Sequence, residues 1–191
     1  MSVLEQPSVI GFQERYAPQN NQFGLTRCDH FGVPTPDPDR AGKFYEAILG
    51  GVELFRAGFS PEERAAGRMR HIFYHIGATL IEVVEQDDGV SYPNHTNPES
   101  RNMNPHWAWE ASPEKVAAFA EHLKRESIPY EFRRHKGASA VSVYFRDQDG
   151  NNLEVTTWDD VPESVIPLTP PGPKSKGFVK WANLAHNWRP H

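Results

Sequence analysis

The sequence predicts an α+β fold made of two βαβββ modules that combine around one pocket. Two observations carry this prediction. The same order of predicted elements occurs twice, and the string Leu80-Ile81-Glu82-Val83 in the first copy matches Asn152-Leu153-Glu154-Val155 in the second. Neither copy alone can bury both its helix and one face of its sheet, so the two copies are expected to share a core.

The first copy runs from an opening strand that contains His30 to a closing strand that contains Glu82. Between them, apolar residues at helical spacing predict an amphipathic helix over residues 39–49. Gly50-Gly51 supplies the positive-φ stop expected just after a helix. The predicted strands of this copy are residues 25–33, 52–59, 69–76 and 79–85.

The second copy repeats this order from His106 onward. Ser112 at the N-cap and Pro113 at the first helical position mark the start of its helix. Residues 147–151 form a turn sequence between the last two strands. The apolar helix face comprises Val116, Phe119, Ala120 and Leu123, and the predicted strands are residues 106–110, 130–134, 140–145 and 153–158.

The repeat defines the predicted domain organisation. Residues 25–158 are expected to form a single domain, with modules 25–86 and 105–158 joined by a linker over 87–104. Residues 1–24 form a polar N-terminal extension. Residues 159–191 form a proline-rich C-terminal tail, which we expect to pack as an extended arm on its own domain or on a second subunit.

Composition excludes several classes of function. The chain has 191 residues, a net charge of −5 and no basic patch, which argues against a nucleic-acid-binding protein. No apolar run approaches the roughly 20 residues of a membrane-spanning helix, and the first residues do not resemble a secretory signal. Cys28 is the one cysteine, so no intramolecular disulfide can form. These features lead us to expect a cytoplasmic protein that does not bind membranes.

Two histidine–glutamate pairs occupy equivalent positions of the repeat. His30 and His106 lie on the first strand of their copies, and Glu82 and Glu154 lie on the last. Imidazole and carboxylate together suit iron, manganese, nickel, cobalt or zinc. A metal would also offset the cost of burying a carboxylate inside a strand. We therefore expect a divalent metal held by His30, His106 and Glu154, joined by Glu82; the alternative is that the glutamates face solvent.

Three strings in the chain carry a family resemblance. They are Cys28-Asp29-His30, the helix pattern Asp39-x-Ala41-x-x-Phe44-Tyr45-x-x-x-Leu49-Gly50, and Tyr144-Phe145-x-Asp147-x-Asp149-Gly150-Asn151-x-Leu153-Glu154. They resemble the vicinal oxygen chelate superfamily, which includes glyoxalase I, bleomycin resistance proteins and type I extradiol dioxygenases. The resemblance implies a curled mixed β-sheet around a mononuclear metal site, with the helices outside. It also implies a small-molecule substrate whose oxygen atoms bind the metal, and a homodimer.

The second copy is similar to the extradiol dioxygenases in particular. Those enzymes contain, in this order, a histidine, an aliphatic residue followed by tyrosine, an Asp-Pro turn and the ligand glutamate. This chain keeps the spacing, but Gln148 replaces the usual proline and Arg133 stands where a smaller or amide residue is expected.

This similarity implies a preference for Fe(II). It also implies hydrogen bonds from Tyr144 and His135 to the substrate oxygens, and an acid–base histidine for which His95 is the candidate. We therefore expect a metal-dependent enzyme, most closely an extradiol-like dioxygenase acting on a small aromatic or vicinal-oxygen substrate.

Two alternatives remain open from the sequence. A glyoxalase-like isomerase or lyase using Ni(II), Co(II) or Zn(II) is favoured by Glu82, which would be a fourth ligand and could shuttle a substrate proton; Mn(II) is a further possible metal. A metal-free sequestration protein would trap a planar ligand between aromatic residues such as Tyr92, Trp107, Trp109 and Trp158. The identity of the substrate and of the metal, and whether the modules pair within one chain or between two, are not determined by the sequence.

Overall fold

A computed structural model describes residues 22–23, 28–86, 105–134, 141–159, 179 and 181–191 of the chain. The first module consists of β1 (His30–Thr35), α1 (Pro38–Leu49), β2 (Val52–Ala57), α2 (Pro61–Ala65), β3 (His71–Ile76) and β4 (Thr79–Glu85). The second consists of β5 (Trp107–Glu110), α3 (Pro113–Arg125), β6 (Glu131–Arg134), β7 (Val141–Arg146) and β8 (Asn152–Thr157). A C-terminal 3₁₀ helix spans Trp181–Leu184.

Each module has its own four-stranded mixed sheet, and the two sheets have equivalent strand orders. The orders are β1-β4-β3-β2 in module 1 and β5-β8-β7-β6 in module 2. In both, the first and last strands of the module pair in parallel and the remaining pairs are antiparallel. The equivalent topology confirms the repeat that the sequence predicts.

The local sequence explains where α1 begins and ends. The Asp37 carboxylate accepts a hydrogen bond from the backbone N–H of Arg40 at 3.2 Å, which satisfies one of the free donors of the first turn. Pro38 fits that turn because it has no N–H to leave unpaired. Gly50 ends the helix with φ of 67°, a left-handed conformation that glycine adopts without strain.

The helices cover one face of each sheet and share a core. Phe44 of α1 and Val116 of α3 belong to one buried cluster, which also contains side chains from both sheets. At the boundary between the modules, Phe31 of β1 stacks on Trp107 of β5 with ring centroids 5.4 Å apart. The shared core makes the two modules one folding unit in the described part of the chain.

A buried polar cluster, which we call the inter-module cluster, ties the turn after β7 to α1. The Tyr45 hydroxyl donates to Asp147 Oδ2 at 2.9 Å, and the Arg40 guanidinium pairs with Asp149. Gln148 Nε2 donates to the Arg40 carbonyl oxygen at 3.2 Å. The residue that replaces the usual proline therefore makes a bond between the modules that proline could not make.

The structure confirms the α+β fold with two βαβββ modules and helices outside. The predicted strand 79–85 agrees with β4, and the other described elements lie within a few residues of their predicted positions, except that β1 begins at His30, later than residue 25. The predicted domain boundaries stay a prediction, because much of 1–24, 87–104 and 159–180 lies outside the described residues. None of the helices in the described ranges is long and apolar enough to cross a membrane.

Two local expectations need correction. The sequence analysis predicts no helix between β2 and β3, but Ser60 and Glu63 form a capping box that starts the five-residue helix α2. Ser112 does precede α3, but its side chain makes no capping hydrogen bond. The first N–H groups of α3 are therefore not satisfied by the side chain that the sequence suggests.

Candidate metal centre

Module 2 brings His106 and Glu154 into contact. His106 stands directly before β5, and Glu154 lies on the neighbouring strand β8, opposite Ala108. The distance from His106 Nε2 to Glu154 Oε2 is 2.8 Å, and the glutamate side chain is only 8% exposed. The carboxylate therefore does not face solvent; it lies beside an imidazole, and both groups are ligands that divalent transition metals accept.

Tyr144 lies next to this pair. It is opposite Glu154 in the register of β7 and β8, and its ring centroid is 6.0 Å from that of His106. Burial, and then the charge of Glu154, raise the pKa of Tyr144 to about 12. Its hydroxyl therefore stays protonated at neutral pH and hydrogen-bonds with the Glu154 side chain.

These three side chains share one face of the module-2 sheet, which we call the open face of module 2. Phe145, the next residue of β7, packs on α3 through Phe119 at a centroid distance of 5.3 Å, so Tyr144 points away from the helix. The same face carries a hydrogen bond between the Ser142 and Thr156 hydroxyl groups at 2.9 Å. The open face is thus polar and internally hydrogen-bonded around the histidine–glutamate contact.

The equivalent residues of module 1 have a different environment. The register of β1 and β4 puts His30 opposite Leu80 and Gly32 opposite Glu82, so His30 and Glu82 share the face opposite α1. We call it the open face of module 1. The His30 side chain is 42% exposed, and its Nδ1 lies 3.0 Å from Asp29 Oδ2. Glu82 is half-buried.

The four predicted ligands do not form one site within this chain. In the described ranges, no three His, Cys, Asp or Glu side chains form a group that could hold a metal ion. The structure therefore brings His106 and Glu154 together and leaves His30 and Glu82 outside that contact. His95 and His135 lie outside the described residues, so their predicted roles stay predictions.

Trp181 is a residue of this region that the sequence analysis missed. The C-terminal 3₁₀ helix places its ring on the open face of module 2, with the ring centroid 6.1 Å from His106 and 5.7 Å from Tyr144. The aromatic residues of the tail are the one feature of the sequence that points to it. From the sequence, the tail is expected to pack only as an extended arm.

Comparison with protein families agrees with this architecture. The Glyoxalase/Bleomycin resistance protein/Dioxygenase superfamily matches residues 27–155, which include nearly all of both modules and all four predicted metal ligands. The chain belongs to this superfamily. The resemblance noted in the sequence is confirmed, and the superfamily match spans most of the described residues.

Solved structures show the same fold at low sequence identity. The fosfomycin resistance protein FosX from Listeria monocytogenes, solved with Mn(II) and sulfate, aligns with a TM-score of 0.52 and 19% identity over 70% of this chain and 93% of its own. A glyoxylase/bleomycin resistance protein/dioxygenase domain from Frankia sp. EAN1pec gives a TM-score of 0.57 and 18% identity, with 73% and 97% covered.

A third similar structure, the lactoylglutathione lyase from Agrobacterium tumefaciens, has a TM-score of 0.51 and 19% identity, with 70% and 95% covered. No functionally curated protein matches the chain in sequence. These similarities establish the fold, but they do not assign one reaction to this member of the superfamily.

Proposed function

We propose that this protein is a mononuclear divalent-metal-dependent enzyme that acts on a small substrate with adjacent oxygen atoms, with extradiol-like dioxygenase chemistry as the first candidate. The observation that carries the proposal is the 2.8 Å contact between His106 and Glu154 on the open face of module 2. An imidazole and a buried carboxylate at this distance supply two of the three protein ligands that a catalytic metal site commonly has, and a protonated tyrosine stands beside them.

The remaining ligand comes, in our proposal, from His30 of a second copy of the chain. Catalytic metal sites commonly need three protein ligands, and one chain brings only two together in its described residues. His30 lies on an equivalent strand, is partly exposed, and its ring contacts Phe73 edge-on at 5.4 Å. In the proposed homodimer, the open face of module 1 from one copy meets the open face of module 2 from the other. Such a dimer would contain two complete sites.

The surface of module 1 supports this arrangement. Exposed apolar side chains lie on β2, the edge strand of its sheet, with Leu54 57% exposed and Phe55 53% exposed. Phe55 is opposite Phe73 in the register and therefore belongs to the same open face as His30. An apolar sheet face of this kind favours association with another protein surface, here a second copy.

The side chains of the chain then have separate tasks. His106 and Glu154 would hold a divalent metal, and the sheet keeps them in register before it binds. The metal would supply Lewis-acid chemistry at the substrate oxygens. In the chain alone the Tyr144 hydroxyl hydrogen-bonds with Glu154. With Glu154 bound to the metal, that hydroxyl would instead donate to a substrate oxygen, where negative charge develops.

The second candidate function is a glyoxalase-like isomerase or lyase. The observation that favours it is the position of Glu82, which shares the open face of module 1 with His30 and would accompany it into the completed site. A fourth, carboxylate ligand is also a base that can move a substrate proton. Mn(II) in a FosX structure is compatible with metals other than iron in this fold.

The test is metal analysis of the full chain purified without chelator under anaerobic conditions, together with His106→Ala and His122→Ala. We expect metal in the wild type and in His122→Ala, whose histidine lies on α3 at 3.3 Å from the Ala47 carbonyl oxygen, and loss of metal in His106→Ala. Iron with oxygen uptake on addition of catechol supports the dioxygenase. Turnover without oxygen, with nickel, cobalt, zinc or manganese, supports the isomerase or lyase. No metal even after reconstitution refutes the enzyme and leaves a sequestration protein.

A further inference from the structure

The C-terminal segment, residues 179 and 181–191, connects the open face of module 2 with the helix layer. Trp181 and Leu184 form a buried cluster with Tyr144, against which Val179 packs. Seven residues after Trp181, Trp188 belongs to the shared core and meets Phe44 of α1 edge-on at 5.5 Å. One short segment therefore reaches both the candidate metal centre and the opposite layer of the fold.

Trp181 stands directly beside His106 and Tyr144 of the candidate metal centre. Its ring is tilted by 39° to the His106 ring and is perpendicular, at 86°, to the Tyr144 ring. The Arg146 guanidinium carbon lies 5.8 Å from its centroid. The residue is only 5% exposed, so the ring is fixed between these neighbours and not free in solvent.

The rest of the segment holds this ring in place. His186 Nδ1 accepts a hydrogen bond from the Trp188 backbone N–H at 3.1 Å, so Nε2 carries the proton and donates to the Arg146 carbonyl oxygen at 2.8 Å. Burial lowers the pKa of His186, which favours this neutral form. The Trp188 indole N–H donates to Glu126 Oε2 at 3.1 Å. A wall fixed before ligand arrives does not have to be ordered on binding.

We propose that Trp181 is a specificity-determining residue: an aromatic wall of the metal site that favours substrates with a flat, apolar body. The inference rests on the proposed metal function and extends it to the substrate class. An aromatic ring beside the metal ligands gains from edge-to-face or offset contact with a second ring and gains little from a small aliphatic ligand. The Arg146 guanidinium lies over the Trp181 ring and gives this wall a polar neighbour.

The test uses two probes that chelate a metal through two oxygens, one with a ring and one without. The full chain is loaded with Zn(II), which is redox-inert, and titrated with 4-nitrocatechol and with acetohydroxamate. We expect Trp181→Ala to weaken the affinity for 4-nitrocatechol about three- to tenfold, because aromatic contact is lost. The affinities for acetohydroxamate and for Zn(II) should stay within about twofold.

Two further variants separate this role from a structural one. Trp181→Phe keeps an aromatic ring and should restore most of the 4-nitrocatechol affinity. Trp109→Phe alters a tryptophan on the opposite side of β5, where it packs near Phe31, and should change neither probe. Equal weakening of both probes by Trp181→Ala, or no change in either, overturns the inference. Tighter 4-nitrocatechol binding also overturns it, because the indole would then occupy the space of the ligand.

The same experiment separates the inference from the proposed function. A wild-type chain that binds no Zn(II) refutes the metal site, and the wall with it. A chain that binds Zn(II) and loses it in His106→Ala retains the proposed function, whatever the result for Trp181.

Discussion

The two modules have the same topology but differ in what surrounds their histidine–glutamate pair. In module 2 the two side chains touch, the carboxylate is buried, and Trp181 and Leu184 of the C-terminal segment pack against Tyr144. In module 1 His30 is partly exposed and pairs with Asp29, the residue directly before β1. An internal repeat therefore preserves the backbone positions of the predicted ligands, but the burial and the side-chain contacts of these ligands differ between the two copies.

The histidine–glutamate contact of module 2 is already formed within one chain, whereas the equivalent residues of module 1 would need a second surface to complete a site. The module-2 pair is held by strand register, by Tyr144 and by burial, so its geometry does not depend on a second chain. His30 and Glu82 of module 1 lie on a face with exposed apolar residues, which is typical of a protein–protein interaction surface. The predictions below test this contrast, from the largest expected effect to the smallest.

The largest effect is expected for the glutamates. Glu154→Gln should lower zinc affinity by about 100-fold or more, because a ligand is removed from the ordered half of the site, whereas Glu82→Gln should lower it by no more than about tenfold. Competition with a chromophoric chelator measures both values, and circular dichroism checks that each variant is folded. Equal losses in the two variants would remove the contrast between the modules.

The inter-module cluster should contribute to stability. Tyr45→Phe removes the hydrogen bond to Asp147 and leaves a buried carboxylate with one donor fewer. We expect the free energy of unfolding to fall by about 1–2 kcal/mol. Denaturant titration measures it, with Tyr130→Phe as the matched control, since Tyr130 is half-buried and packs against the core. If both variants shift stability equally, the cluster does not hold the modules together.

Module 1 contains an ion pair whose strength should depend on pH. Hydrogen bonds from Arg70, and then from Arg64, lower the pKa of Glu85 to about 2. Because the folded pKa lies below the unfolded value of about 4.3, this stabilisation is present above that value and is lost as pH falls towards 2.

Glu85→Gln should therefore lower the free energy of unfolding by about 1 kcal/mol at neutral pH, a modest amount because both arginines are partly exposed. The difference from wild type should shrink as the pH of the denaturation experiment falls below about 4. A difference that is constant from neutral to acidic pH would show that the charge of Glu85 contributes nothing.

The smallest contrast lies at the helix N-termini. Asp37→Ala removes the side-chain cap of α1 and should cost about 1 kcal/mol. Ser112→Ala should cost less than about 0.5 kcal/mol, because the Ser112 side chain makes no capping hydrogen bond to α3. Thermal or chemical denaturation of the two variants side by side gives the comparison; a larger loss for Ser112→Ala would contradict the observed capping.

Periodicity and the repeat predict most of the fold, because helix and strand patterns are local and the two copies reinforce each other. The short helix α2 is not predicted, since five residues are too few to give a helical period. The contact between His106 and Glu154 follows from their positions in the repeat, but the sequence treats His30 and Glu82 as equivalent to them. The two pairs differ in the structure because the burial of a side chain and its contacts depend on tertiary packing, which the repeat pattern does not describe. Trp181 could not be predicted because no repeat or period relates the tail to the open face of module 2.

Mixing two variants that each lack one ligand tests whether His30 of a second copy completes the site that His106 and Glu154 begin in module 2. His30→Ala and His106→Ala chains would each be purified, shown to bind no metal, then unfolded together and refolded as a mixture. A mixed dimer combines the intact His30 of one chain with the intact His106 and Glu154 of the other. We expect metal binding to return, to about one quarter of an equivalent per chain for random pairing. A mixture that stays metal-free while refolded wild type binds metal would refute a site shared between two copies, because each site would then be built within a single chain.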